Sequence, residues 1–121
     1  VLDWELSTLG DPLSDAALMC VHRDPALNLI FGEEMAWSAP TMPAPDDLAH
    51  RYSTVSGNAL AHWNFQMALG YFKLGIIVAG IDYRRRMSTA EDENSQAGVL
   101  LNQAVAVLIA GGLAAFDDRS L

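Results

Sequence analysis

A mainly α-helical fold is what this sequence predicts, and three observations carry that expectation. Apolar residues recur at spacings of three and four along about four segments. Helix punctuation falls between those segments, as Asp11-Pro12, Asp24-Pro25, Asp46-Asp47 and Gly57-Asn58. Only the opening Val1 to Trp4, apolar around one acid, reads as the end of a β-strand. The length of 121 residues suits one ordinary domain, and 51% hydrophobic residues argue against disorder.

Ser7 to Gly10 reads as a turn. Asp11 is then an N-cap and Pro12 the first helical residue, because the Pro ring is already set to a helical φ and its missing N–H would have had no partner there. This helix is expected from Pro12 to about Arg23, with Leu13, Ala16, Ala17, Cys20 and Val21 on its apolar face. Asp24-Pro25 stops it. From Pro25 to Pro45 the chain is expected to be irregular, since Pro40, Pro43 and Pro45 forbid a long helix, with Leu29, Ile30, Phe31 and Trp37 pinning parts of it to the body. Asp46 to Ser56 reads as a helix with two acids at its positive end. A long helix is expected from Ala59 to Met87, ~40 Å in length, with Trp63, Met67, Gly70, Leu74, Ile77 and Ile81 as its stripe. Gly70, Gly75 and Gly80 recur every five residues, which gives no single face, so they should admit several different neighbours. Ser88 to Asn94 is a polar, acidic turn. Ser95 to Asp118 is the last helix, with Val99, Leu100, Ala104, Val107, Leu108 and Leu113 apolar, and the tail from Asp117 to Leu121 is expected to fray. The run Ala97 to Phe116 is almost wholly apolar, but Asn102-Gln103 and Gly111-Gly112 interrupt it and no aromatic belt or basic flank frames it. It reads as a buried helix rather than a membrane span.

The net charge of -8 disfavours nucleic-acid binding through a broad basic surface. Arg84-Arg85-Arg86, at a helix end, reads as solvation and complement to the helix dipole rather than an anion site. Cys20 is the single cysteine, so no internal disulfide forms, which fits a reducing, cytoplasmic setting. His22 lies two residues on, hence on another helix face, and Cys20 reads as a small buried hydrophobe. His22, His50 and His62 have no metal-ligand spacing, so zinc is not expected. The first residues carry acids, not the basic start of a secretory signal.

Val1-Leu2-Asp3-Trp4-Glu5, followed closely by Gly10-Asp11-Pro12-Leu13-Ser14-Asp15, resembles the metal-binding segment of the aminoglycoside phosphotransferase family, kinase-like enzymes that include choline kinases. Arg51-Tyr52, His62-Trp63-Asn64-Phe65, Tyr71-Phe72-Lys73-Leu74-Gly75 and Gly80-Ile81-Asp82-Tyr83-Arg84-Arg85 resemble the phosphotransferase domains fused to acyl-CoA dehydrogenases. The resemblance runs from Val1 to about Arg86. It implies that residues 1–121 are the helical C-terminal part of a protein-kinase-like α+β C-lobe. That part would begin at the end of the metal-binding β-hairpin, with the N-lobe and catalytic loop upstream. A strand with a buried acid at the very start fits the middle of a larger protein.

Phosphoryl transfer asks a protein for positioning and for cations that neutralise phosphate charge. Mg²⁺ takes hard oxygen ligands and commonly only one or two carboxylates, and a strand end is a rigid mount for one. By resemblance, Asp3 ligates Mg²⁺ that bridges the ATP phosphates. Glu5 shares a strand face with Asp3; the resemblance leaves open whether it assists metal or substrate binding or anchors the loop. Trp4 points the other way, into the core. Asp11 has its capping role, and Asp15 either braces the catalytic loop, as the resemblance implies, or is a plain exposed first-turn acid. Helices after the metal strand would floor the acceptor pocket, where Trp63 and Tyr71 are either lining residues or core.

The family's His-Gly-Asp-x-x-x-x-Asn signature, which supplies the catalytic base and a second metal ligand, does not occur in this sequence. Neither does a Gly-rich loop or a strand Lys with its helix Glu partner. The expectation is therefore a portion of an ATP- and Mg-dependent phosphotransferase acting on a hydroxyl of a small molecule, hydroxyacyl-type rather than an aminoglycoside, and inactive alone. Its apolar helix faces would be covered by the missing N-terminal part or by a second copy, with no nucleic acid and no membrane as partner. The alternative is a non-catalytic helical interaction module in which Asp3 is incidental. An integral membrane protein is a weaker third reading, resting on Ala97 to Phe116 alone.

Overall fold

A computed structural model describes residues 9–89 and 95–118, and every regular element among them is a helix. The fold is mainly α. Helix α1 spans Pro12–Val21, a 3₁₀ turn Pro25–Leu27, α2 Asn28–Phe31, a second 3₁₀ turn Ala36–Ser38, α3 Pro45–Ser56, α4 Trp63–Thr89 and α5 Gln96–Asp117. The strand end expected at Val1 to Trp4 lies outside the described residues.

Local chemistry sets these starts. Asp11 Oδ1 accepts the Leu13 N–H at 2.9 Å, and Ser95 Oγ accepts the Gly98 N–H at 3.2 Å, so α1 and α5 both begin on a side-chain cap. Helix α3 begins on Pro45 without a side-chain cap, and Asp46 and Asp47 fill its first turn. It ends on Gly57, whose φ of 75° is the left-handed turn that glycine adopts most easily. The chain then turns through His62 at φ 54° and enters α4 at Trp63, four residues later than the sequence predicts. His is among the residues that tolerate this region.

The segment from Pro25 to Pro45 is more ordered than expected. Asp24 caps a 3₁₀ turn by accepting the Ala26 N–H at 2.8 Å, and α2 follows directly. Asn28 Oδ1 accepts from both the Met35 N–H and the Ser38 hydroxyl, which fastens the second turn to the first. Leu29 and Ile30 pack on the core as predicted. Trp37 stands edge-on to Phe31 and His22, with ring centroids 5.8 and 6.5 Å apart. Prolines forbid a long helix but not single turns, and short turns leave little periodic signature.

Helix α4 is the spine. One core cluster joins Val21, Leu27, Leu74, Val78, Leu101 and Leu108; a second joins Leu13, Ala17, Cys20, Ala49 and Trp63, and Met67 touches both. The buried line on α4 runs Trp63, Gln66, Gly70, Leu74, Val78 and Asp82, so Ile77 of the predicted stripe is exposed and Val78 replaces it. The glycines do meet different neighbours. A Cβ on Gly70 would lie 3.1 Å from Val21 of α1, and one on Gly75 3.1 Å from Ile109 of α5. The Gly111-Gly112 pair is a slot for Tyr71, whose Cε1 would lie 2.8 Å from a Cβ on Gly111.

Helix α5 departs from the fully buried helix expected. One face packs on α4 through Leu101, Ala104, Leu108 and Gly112, while Val99, Val107, Ile109, Leu113 and Phe116 are exposed. Both α4 and α5 are long and apolar enough to cross a membrane by length and composition alone.

Candidate functional site

Of the sequence-predicted site residues that the structure describes, Asp11 and Trp63 lie along the seam between α1 and α4, Tyr71 lies just beyond its end, and Asp15 is exposed. At one end Asp11 uses its second oxygen, Oδ2, to accept from Gln66 Nε2 at 2.9 Å, while Gln66 Oε1 accepts the Ser14 hydroxyl at 2.8 Å. Gln66 is buried, so its amide is held at both ends and its orientation is set. Asp15 is exposed in the first turn of α1, where a carboxylate meets the positive end of the helix dipole. Trp63, one turn before Gln66, is buried in the second core cluster. The proposed metal residues Asp3 and Glu5 lie outside the described residues.

At the other end of the seam Tyr71 donates its hydroxyl to Asp24 Oδ2 at 2.7 Å. Burial and this bond to a carboxylate push the phenol pKa well up, so Tyr71 acts as a fixed donor. Asp24 thus serves two masters, capping the 3₁₀ turn with one oxygen and holding α4 with the other. Tyr71 therefore joins three elements: the end of α1, α4 and the glycine slot of α5.

Cys20 is buried and its thiol is pushed up to about 11, by burial first and the Asp46 charge second, with Arg23 acting in the opposite direction. Its Sγ–H points at the Pro45 carbonyl at 3.5 Å. At neutral pH it stays a thiol and has no nucleophilic character. His22 Nδ1 lies 2.7 Å from the Leu18 carbonyl oxygen of its own helix.

The arginine run is built differently from the solvated helix end predicted. Asp82 is buried and pairs with Arg85 at 2.9 Å and with Arg86. The Arg86 hydrogen bond, ahead of the Arg85 one, holds the Asp82 carboxyl below its usual range against the opposing effect of burial. Arg85 also donates to Ser95 Oγ, the cap of α5, at 3.0 Å. Gln66 and Asp82 are the two polar residues that sequence reasoning passed over as site elements. The available signal was their position: each falls in the buried phase of an otherwise apolar helix, where a polar side chain needs a partner.

Among the described residues no group of three or more His, Cys, Asp or Glu side chains converges as a metal site. Asp11, Ser14 and Gln66 make a closed hydrogen-bond chain, suited to fixing the start of α1 rather than to moving a proton.

The chain is 35% identical over 103 residues to acyl-CoA dehydrogenase family member 11 of Pongo abelii, and 30% identical over 112 residues to family member 10 of Mus musculus. It is 29% identical over 115 residues to the probable acyl-CoA dehydrogenase IBR3 of Arabidopsis thaliana. Its homologues are acyl-CoA dehydrogenase family members. These alignments cover 78%, 89% and 87% of this chain, but the chain spans only 13%, 10% and 14% of those proteins. No family model and no solved structure matches it.

Proposed function

We propose that this chain is the C-terminal helical portion of an ATP- and Mg²⁺-dependent phosphotransferase that acts on a hydroxyl of a small molecule in the cytoplasm, and that it is inactive alone. The observation that carries this reading is that two resemblances agree with the relatives' names. The Asp3 and Gly10–Asp15 motifs resemble the metal-binding segment of the aminoglycoside phosphotransferase family, the segments from Arg51 to Arg85 resemble phosphotransferase domains fused to acyl-CoA dehydrogenases, and the relatives bear acyl-CoA dehydrogenase names over a small share of their length. A single helical portion of a much larger protein fits both.

In this reading Asp3 would hold Mg²⁺, with Glu5 assisting it or the substrate or anchoring the loop, and the ion would supply neutralisation of phosphate charge. Asp11 and Gln66 fix the first turn of α1, the element that follows the metal segment in the chain. Asp15 projects from that turn to brace the upstream catalytic loop. Trp63 and Tyr71, packed as core, would support the floor of the acceptor pocket from behind, and the pocket takes a hydroxyacyl-type compound. The base that deprotonates the acceptor would come from upstream, where the resemblance places the His-Gly-Asp-x-x-x-x-Asn signature.

The test is phosphoryl transfer from ATP to small hydroxyl acceptors, measured for the chain alone and for a longer protein that carries it behind the upstream base. The chain alone should show no turnover. In the longer protein Asp3→Asn should lower turnover by at least about a hundredfold, as loss of a metal ligand does; full activity of that variant would sink the reading. A non-catalytic helical interaction module is the second reading. The exposed apolar residues of α4 and α5 favour it, and it predicts that Asp3→Asn changes nothing.

A further inference from the structure

The outer face of the α4–α5 hairpin is apolar and exposed, and it takes no part in the proposed catalytic site. Phe65, Ala68, Phe72 and Ile76 follow one another on α4 at spacings of three and four, so they share a face. Ile109, Leu113 and Phe116 do the same on α5. Between them Ala68, Phe72, Ile109, Gly112, Leu113 and Phe116 line a groove of about 220 Å³. Towards the other end of the hairpin a second groove is lined by Ala79 and Val105 together with Asp82, Tyr83, Arg86 and Asn102.

We propose that this face is a self-complementary interface on which a second copy of the chain docks, the two hairpins forming a four-helix bundle. The area supports that occupant. Phe65, Phe72, Ile76, Ile109, Leu113 and Phe116 are between 38% and 66% exposed. At the order of 200 Å² for a whole large side chain, they present roughly 600 Å² per copy. Two copies would bury about 1,200 Å², the lower edge of stable specific interfaces. An apolar patch of this size lies at the upper end of what monomeric proteins carry, where such patches are often functional.

Charge supports it too. The chain carries -8, yet from Trp63 to Ile81 its single charged residue is Lys73, and from Gln96 to Phe116 there is none. Apart from Lys73, identical faces can therefore meet about a two-fold axis without like charges in contact. Within the apolar stretch a charged partner would find only Lys73 to pair with. Lys73, exposed near the middle of the apolar stretch of α4, argues against a lipid bilayer as the occupant.

The test is sedimentation equilibrium of the 121-residue chain from about 1 to 100 μM, a range that brackets micromolar dimers, with Phe72→Glu and Leu113→Glu beside the wild type. Both substitutions are on exposed positions, and circular dichroism should show their helices intact. The expected result is a wild-type dimer whose dissociation constant rises at least tenfold in each variant. Amide hydrogen exchange on the wild type gives a readout that needs no variant: protection on the outer face of α4 and α5 should rise with concentration. A wild-type monomer throughout would overturn the proposal, whether or not it binds phosphatidylcholine vesicles. So would a dimer indifferent to both substitutions, or one whose protection appears on α1 and α3. Because Asp3 plays no part here, this result and the phosphotransferase assay can fail separately.

Discussion

The two ends of α4 solve the same problem with different chemistry. At its start the neutral amide of Gln66 reaches the cap of α1, Asp11; near its end the charged Arg85 reaches the cap of α5, Ser95. Each bond ties a neighbouring helix start to the spine, so that helix cannot fray without breaking a buried contact. The neutral lock needs only one residue, because an amide donates and accepts at once. The ionic lock needs Asp82 as well, since a guanidinium placed against an apolar helix pair must be neutralised. The difference teaches that a polar anchor is tolerated in either form, and that the lock near the end of α4 couples the fold to pH through the Asp82 carboxyl.

Removing a partner should break the two locks unequally. Asp82→Ala removes the carboxylate that Arg85 and Arg86 share and should cost about 3 kcal/mol in urea unfolding, the low end of the scale for breaking a buried ion pair from one side. Gln66→Leu keeps the volume but strips partners from Asp11 and Ser14, and should cost about 2 kcal/mol. Equal losses would mean that the locks differ in name only.

The pH response sharpens the contrast. The Asp82 carboxyl is held below its ordinary value in the folded chain, so its contribution is full above the unfolded carboxylate pKa of about 4. That contribution is lost as pH falls from there through the depressed folded value. Wild type should therefore lose stability over that range more steeply than Asp82→Asn, as followed by thermal melts at stepped pH. Parallel curves would remove the ionic lock from the account. Tyr71→Phe should have the smallest effect, about 1 kcal/mol for one hydrogen bond, with the Asp24 cap still intact. A loss several times larger would show that the seam depends on Tyr71 more than on either lock.

The locks also mark where the sequence could be read and where it could not. Asp11-Pro12 announced the start of α1, Gly57 the end of α3, and the five-residue glycine spacing the several neighbours of α4, because each rests on backbone chemistry within a few residues. Gln66 was not legible as an anchor, since its partners Ser14 and Asp11 lie 52 and 55 residues away. Asp82 was absorbed into a motif, and its ion pair was hidden by the reading of its arginines as solvent-facing. Ile77 and Val78 are adjacent apolar residues, and only packing against α5 decides which of them faces inward. Of the candidate site, the capping role of Asp11 follows from sequence and geometry alike, whereas Asp3 and Glu5 rest on resemblance.

The glycine slot under Tyr71 has a further consequence, for alignment. Two apolar helices packed side by side can slide past each other by one turn, about 5.4 Å, and exchange one set of aliphatic contacts for another. Here such a slip would carry the phenol ring from Gly111 and Gly112 onto Val107 and Leu108 in one direction, or Ala115 and Phe116 in the other. Every one of those residues has a Cβ where the ring must lie. The absence of two side chains thus gives the hairpin a single register, and with it one defined pattern of residues on its outer surface.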